Sequence, residues 1–286
     1  MKKLFLLSLV LCVAVCAQDL RSLQTLLEET NATWTAGETM FTNMDPIECE
    51  KYFGVLPGIF DISALPEENM EEALPLRGSF TAKHTSIKNQ GSCGSCYAFA
   101  ACATYESFKL IKTGATYDLS EQDFMMKAKA IGPYGGCDGW YLDTSLNLLK
   151  NKGVTSESKC AYKGYEAACS SSGSDYKITS WSYKRTPSVD DIKSYLSKYG
   201  LVYCAFVVYR DFMNYTGGVY RYTSGSQAGG HAVAIVGYDD AKQAFKVKNS
   251  WGTGWGERGY FWIGYDQMNN CVQFGKYCGG SFFITQ

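Results

Sequence analysis

The chain carries only two histidines, His84 and His231, in 286 residues. Histidine is the usual proton shuttle near neutral pH, so any such role falls on one of these two positions. No H-x-x-x-H occurs, and Cys93-Gly94-Ser95-Cys96 is the one C-x-x-C. A zinc site needs four nitrogen or sulfur ligands at workable spacing, so structural zinc is excluded. Charge of one sign is also lacking: 27 basic residues face 28 acidic ones, net -1, with no basic stripe. That argues against nucleic acid and against an electrostatic membrane patch as partners. Beyond the first 17 residues no apolar run approaches about 18 residues, so no membrane span is expected. Proline is scarce at 6, whereas glycine (29) and aromatics (21 Tyr, 15 Phe, 6 Trp) are plentiful. Such a composition suits a packed, loop-rich fold with a β component and excludes a disordered chain.

The chain opens MKKLFLLSLVLCVAVCAQ. Lys2 and Lys3, an apolar run from Leu4 to Val15, and the small residues Cys16 and Ala17 read as a secretory signal peptide over residues 1–17. A buried helix is the alternative, but nothing polar marks a second face. Secretion implies an oxidising compartment in which most of the remaining cysteines are bridged. Two sequons, Asn31-Ala32-Thr33 and Asn214-Tyr215-Thr216, are glycosylation candidates on the same route. Residues 18 to about 60 are polar and helical in flavour. The stretch from Asp61 to Gly78 carries Glu67, Glu68, Glu71 and Glu72, and reads as an exposed linker or a solvated helix face.

Tyr97 to Ile111 places apolar residues at helical spacing, predicting a buried helix that begins near Cys96. Ser120 caps a second helix, and Leu142 to Leu149 forms a third. Beyond residue 200 the texture turns to strand in LVYCAFVVY, HAVAIVGY, AFKVKNS and YFWIGY. A mainly helical half therefore precedes a mainly β half, with no internal repeat and no low-complexity tract.

Four chemistries are open to the C-x-x-C: a redox pair, half a zinc site, a disulfide end and a nucleophile. Zinc fails for want of ligands, and a thioredoxin-like pair would need a βαβ unit that is missing here. A thiol nucleophile needs a base to hold it as thiolate and a third group to orient that base. Cys96 stands at a helix start, whose partial positive charge favours the anion. His231 stands in GGHAVAIVGY at the head of a strand, with Gly229 and Gly230 permitting close backbone approach. A lone histidine entering a strand is more often structural. Asn249 ends the strand KVKN, where its amide oxygen can accept the imidazole N–H and Trp251 can shield that bond from water.

QGSCGSCYAFA, LSEQDF, GGCDGW, GGHAVAIVGY and KNSWGTGWGERGYFWI, in that order, resemble the papain family of cysteine proteases. The 135-residue interval from Cys96 to His231 lies inside that family's range. The likeness runs from about residue 80 to the end. NATWTAGETMFTNM with IECEKYFGVLPG resembles the short propeptide of cathepsin B-like members. The resemblance implies an α+β, papain-like fold: a helical lobe over about 80–190, an antiparallel β-barrel lobe over about 191–286, and a cleft between them. It implies the peptidase domain at 71–286 and a removable propeptide at 18–70, with the boundary between 60 and 78. Cys96 would be the nucleophile, His231 its ion-pair partner and acid, Asn249 the orienting amide, and Gln90 an oxyanion donor. Gly139, Trp140, Trp251, Trp255 and Lys276 would meet substrate, Lys276 at the floor of the main specificity pocket. His84 matches no role and is expected exposed.

The family pairing joins Cys93 to Cys137. Its other two bridges do not transfer, because Lys127 stands at one half-cystine position and no cysteine lies between Tyr220 and His231. Local pairs Cys160–Cys169 and Cys271–Cys278 are expected instead, with Cys102 and Cys204 as buried thiols. Two positions depart from the family: Tyr97 replaces the usual Trp, and Trp140 the second glycine after G-C-x, where an indole would crowd the cleft or stack on substrate. The His-His dipeptide of an occluding loop is missing, which favours an endopeptidase over removal of C-terminal dipeptides. The resemblance thus implies a monomeric zymogen, free of metal or organic cofactor, in lysosome-like vesicles or secreted. Its partners would be protein and peptide substrates, its own propeptide and cystatin-like inhibitors. An inactive relative that binds peptides or glycans is the alternative.

Overall fold

The computed structural model describes residues 19–57 and 77–286. The signal peptide and the acidic run at Glu67–Glu72 lie outside the described residues. An N-terminal segment comes first. Helix α1 (Leu20–Glu29) is capped by Asp19, whose side chain accepts from Ser22 N, and it buries Leu23 and Leu27. Strand β1 (Trp34–Ala36) follows, then α2 (Pro46–Glu50), started by Asp45 and a proline in the first turn. Strand β2 (Ser79–Thr81) precedes the central helix α3 (Cys96–Thr113), buried on all sides from Cys96 to Phe108 and ended by Gly114 in the left-handed region. Helices α4 (Glu121–Lys129) and α5 (Leu142–Asn151) pack beside it. The Ser120 hydroxyl accepts from Asp123 N, so the cap read in the sequence is the one that starts α4.

The second half contains β3 (Trp181–Lys184), α6 (Val189–Tyr199), β4 (Val202–Tyr209), β5 (Tyr215–Tyr220), β6 (Gln227–Asp239), β7 (Ala244–Lys248), β8 (Tyr260–Gly264) and β9 (Ser281–Ile284). Helix α6 was not anticipated. Its signal is a capping box in which Ser188 and Asp191 satisfy each other's backbone N–H. The sheet runs β1-β5-β8-β7-β6-β4-β9-β3, with β2 on β6. Pairing is antiparallel except between β5 and β8, which run parallel. Strand β6 begins four residues before His231, which therefore sits within the strand, opposite Phe206 of β4, rather than at its head.

Alternation along β4 divides the interior. Val202, Cys204, Phe206 and Val208 face one core, which also takes Leu23, Leu27, Trp34 and Phe41 of the N-terminal segment. Tyr203 and Ala205 face the other core, together with Ala232 of β6 and the residues of α3. Small side chains at Ala205 and Ala232 leave room for the start of α3 against the sheet. Across this region Lys88 pairs with Glu106, Asp118 and Glu121, tying the segment that leads to the C-x-x-C to α3 and to the start of α4.

Lys127 stands where the family resemblance puts a half-cystine. Its ammonium group donates to Asp123 Oδ2 (2.7 Å), to Gly153 O (3.0 Å) and to Gly173 O, joining three chain segments. Replacing it with methionine keeps most of the stem and leaves the nearly inaccessible Asp123 carboxylate without its counter-charge, held only by the neutral donors Thr155 N and Ser172 Oγ. The expected loss is about 3 kcal/mol of unfolding free energy, read as a lower urea midpoint at unchanged slope. A loss below about 1 kcal/mol would mean that the clamp does not replace the bridge.

Candidate active site

Cys96 is the first residue of α3 and is fully buried. Its Sγ accepts from Ala232 N of β6 at 3.4 Å, so the thiol sits where the two lobes meet. Cys93 is bonded to Cys137 (S–S 2.08 Å), anchoring the loop before α3 to the loop after α4. The C-x-x-C therefore holds one half-cystine and one thiol. His231 Nε2 lies 2.8 Å from Asn249 Oδ1 and donates to it. In the neutral ring Nδ1 then carries the lone pair. The indole of Trp251 covers His231 at 4.6 Å between ring centroids, and Phe206 meets the imidazole edge-on at 6.1 Å. Gln90, also fully buried, has its amide oxygen held by Ser250 Oγ (2.6 Å). Its nitrogen donates to Cys93 O (2.8 Å) and to Tyr52 O (3.1 Å).

That last partner belongs to the N-terminal segment, which lies along the cleft. Gly54 O accepts from Trp140 N (3.0 Å), Leu56 N donates to Trp140 O (3.3 Å), and Val55 N donates to Gly230 O (3.2 Å). The segment thus bonds both lobes, running parallel to the chain at Trp140. A Cβ on Gly54 would fall 1.9 Å from Gly94 O, so only glycine passes at this point. Gly139, at φ +80°, lets the segment approach; a Cβ there would meet the Gly54 backbone at 3.0 Å. Phe53 packs edge-on against His231 and Trp251, both at 6.3 Å.

Burial under this cover dominates the electrostatics. It pushes the Cys96 thiol up to about 11, against which backbone N–H groups of Ala232, Gly54 and Tyr97 act in the opposite sense. It pushes His231 down to about 4, although the bond to Asn249 favours the charged ring. The covered site therefore holds a neutral thiol and a neutral imidazole.

The two departures from the family motif pack together. The Tyr97 hydroxyl donates to Gly136 O (3.0 Å), and its ring meets the Trp140 indole edge-on at 5.9 Å. Trp140 turns its side chain into the helical-lobe core and keeps its backbone N–H and C=O for the cleft, so the expected crowding by the indole does not occur.

Other positions differ from expectation. Lys276 donates to Asn269 Oδ1 (2.6 Å). The next two residues meet the cleft: the Tyr277 ring would lie 2.8 Å from a Cβ on Gly230, and Cys278 Sγ is 3.5 Å from Leu56 O. Trp255 is a core residue, donating to Met213 O under Phe212. Cys160 is bonded to Cys169, whereas Cys271 and Cys278 are separate thiols: Cys278 faces Leu56, and Cys271 is exposed beside the Tyr209 hydroxyl. His84 is half-buried, with Nδ1 on Ala82 O and Nε2 on the Tyr260 hydroxyl. Asn31 is exposed, but Asn214 is fully buried, so it cannot carry a glycan in this form. Sequence reasoning missed Ser250 and Tyr162. Ser250 fixes Gln90, and its only signal was its place after Asn249; the Tyr162 hydroxyl donates to Gln90 O (2.7 Å) and meets Ser95 Oγ (2.8 Å), and no motif marks it.

Among the described residues no group of three or more His, Cys, Asp and Glu side chains is arranged to hold a metal ion. A thiol at a helix start, an imidazole oriented by an amide, and an amide N–H aimed at a carbonyl oxygen are together equipped for nucleophilic acyl transfer.

The sequence profile of the papain family cysteine proteases matches residues 75–277. A cathepsin L-like proteinase of Fasciola hepatica is 31% identical over 251 residues, covering 84% of this chain and 76% of its own. Procathepsin L2 from the larval midgut of Tenebrio molitor superposes with a TM-score of 0.76 at 26% identity, over 93% of this chain and 90% of that one. Procathepsin B S9 of Trypanosoma congolense superposes with a TM-score of 0.80 at 21% identity, over 95% and 99%. The chain spans only 41–63% of the length of the first four curated relatives that it matches.

The neutral pair under the cover predicts how closure responds to pH. In the open form His231 returns toward its ordinary value near 6.5, so opening binds protons below that pH. Closure is therefore fully retained above about 6.5 and weakens as pH falls toward 4, by at most about 3 kcal/mol. In a C96A chain, where only His231 titrates between the two forms, the fluorescence of Trp251 and Trp34 should report opening on the acid side alone. A signal flat from pH 7 to 4 would contradict this.

Proposed function

We propose that this chain, which belongs to the papain family of cysteine proteases, is the zymogen of a cysteine endopeptidase held closed by its own N-terminal segment. The observation that carries the reading is the carbonyl oxygen of Tyr52 within 3.1 Å of Gln90 Nε2, with the Gly54 backbone over Cys96. The segment occupies the seat that a scissile peptide would take. It offers Cys96 a backbone N–H in place of a carbonyl carbon, and so covers the nucleophile without presenting an electrophile.

Once the segment leaves, water reaches the site and the desolvation that separates the two pKa values falls away. Transfer of the thiol proton to His231 is then favoured by Asn249, which holds the ring through Nε2, and by the N-terminus of α3. Cys96 Sγ attacks the substrate carbonyl carbon, and the oxygen takes the negative charge. The Gln90 amide and the Cys96 backbone N–H donate to it, each worth a few kcal/mol. His231 returns the proton to the leaving amine, giving a thioester on Cys96. Water, deprotonated by His231, hydrolyses that thioester and regenerates the thiol.

Substrate lies extended between the backbones of Trp140 and Gly230, with Tyr277 and Cys278 shaping the side-chain subsite. A cathepsin B-like assignment is supported by the fold shared with procathepsin B S9 and by the residues NATWTAGETMFTNM. The leader-like first 17 residues and the Asn-linked sequons support passage through the secretory pathway to vesicles or outside the cell. The removable segment extends through the described residues 19–57, with cleavage between 60 and 78.

After removal of the segment, an epoxide-type thiol-protease inhibitor should label one equivalent of the chain at Cys96, and a C96A chain not at all. Gly54→Val should raise labelling of the uncleaved chain at least tenfold, because the added Cβ collides with Gly94 O. If the processed chain resists labelling while still binding peptide, it is an inactive peptide-binding relative instead.

A further inference from the structure

Neither sequon takes part in the chemistry above, and their surroundings differ sharply. Asn214 is fully buried beneath the N-terminal segment. Its Oδ1 faces Thr42 Oγ1 at 3.4 Å, and its backbone oxygen accepts from Gly37 N at 2.9 Å. Thr216 of the same sequon donates to Thr35 O (3.0 Å) in the β1–β5 ladder, where Thr35 is paired with Gly217. A carbohydrate on Asn214 would have to pass through β1 and its flanking turn, so a glycan there and a docked segment exclude each other.

Asn31 is exposed just after α1, at φ +50°, a turn conformation that asparagine tolerates better than most residues. The Thr33 hydroxyl donates to Val219 O and accepts from Arg221 Nη1, both at 2.7 Å, which fixes the sequon in the turn between α1 and β1. Beside Asn31 lies an open groove of about 480 Å³, lined by Gln24, Glu28 and Thr35 together with Leu27, Trp34 and Ala36, and left open by the described residues. Its mixed polar and apolar floor leaves room for the first sugar.

We propose that Asn31 is the N-glycan attachment site of this chain and that Asn214 carries none, so that the carbohydrate departs with the N-terminal segment. The glycan then marks the closed precursor, and the active form is unglycosylated. The inference rests on the secretory and zymogen readings given above.

The test expresses the full chain behind a host leader in a glycosylating eukaryotic cell, so that its own leader is not on trial. Treatment with an N-glycan amidase should lower the mass of the precursor by a single glycan. Asn31→Gln should abolish that shift. Asn31→Gly, which suits the positive φ, should do the same if the first variant misfolds. Asn214→Gln should leave the shift intact, and the processed form should show none. A glycan on the processed form, a shift that survives both Asn31 variants, or no shift at all beside a glycosylated control protein would overturn the proposal. Secretion that fails with the native leader, with the shift intact behind the host leader, would count against the secretory reading alone.

Discussion

The contact between Cys96 Sγ and the backbone N–H of Ala232, 3.4 Å long, is the joint on which this molecule depends. It brings the first residue of a helix against the middle of a strand from the other lobe. Two things make the approach possible. Ala205 and Ala232 are small on the face that β4 and β6 turn toward α3, and Cys93–Cys137 holds the turn from which α3 departs. Strand β6 then delivers His231 one residue before Ala232, and β7 delivers Asn249 one residue past its end. A fixed register between β6 and β7, with Ala234 opposite Lys248, brings imidazole and amide to 2.8 Å.

The N-terminal segment uses the same surfaces and inverts their chemistry. Trp34 and Phe41 anchor it in the β-lobe core, where Trp34 meets Tyr220 and Phe41 meets Trp251. Between those anchors and Leu56 the backbone crosses the cleft with glycine at its tightest point. Covering the site removes the water that would stabilise a thiolate and an imidazolium. Burial alone therefore keeps the pair neutral, with no need for a competing charge.

Much of this was legible in the sequence, because the reacting groups sit in short local strings. The start of α3, the Ser120 cap and four strands follow from periodicity and capping, which are local properties. What escaped depends on contacts between distant segments. The approach of Tyr277 to Gly230 and of Cys278 to Leu56 joins residues far apart in the chain, and no local string marks it. Trp255 is aromatic in a glycine-rich string, yet its partner is the carbonyl of Met213, 42 residues away. The proximity of Cys271 and Cys278 in sequence suggested a bridge, but the backbone sends their thiols in different directions. Trp140 and Tyr97 looked like two separate anomalies. In space they are one packing solution, a smaller ring on α3 meeting a larger one from the neighbouring loop.

The central claim is that covering the cleft, rather than any missing residue, keeps the site inactive. The imidazole itself reports on this, and with only two histidines its resonances are readily assigned. Titrating the His231 ring by ¹⁵N NMR in the full chain and in the processed chain compares the two states directly. The ring should stay neutral in the full chain until pH falls toward 4, and titrate at a clearly higher pH once the segment is removed. One and the same titration curve for both chains would contradict it.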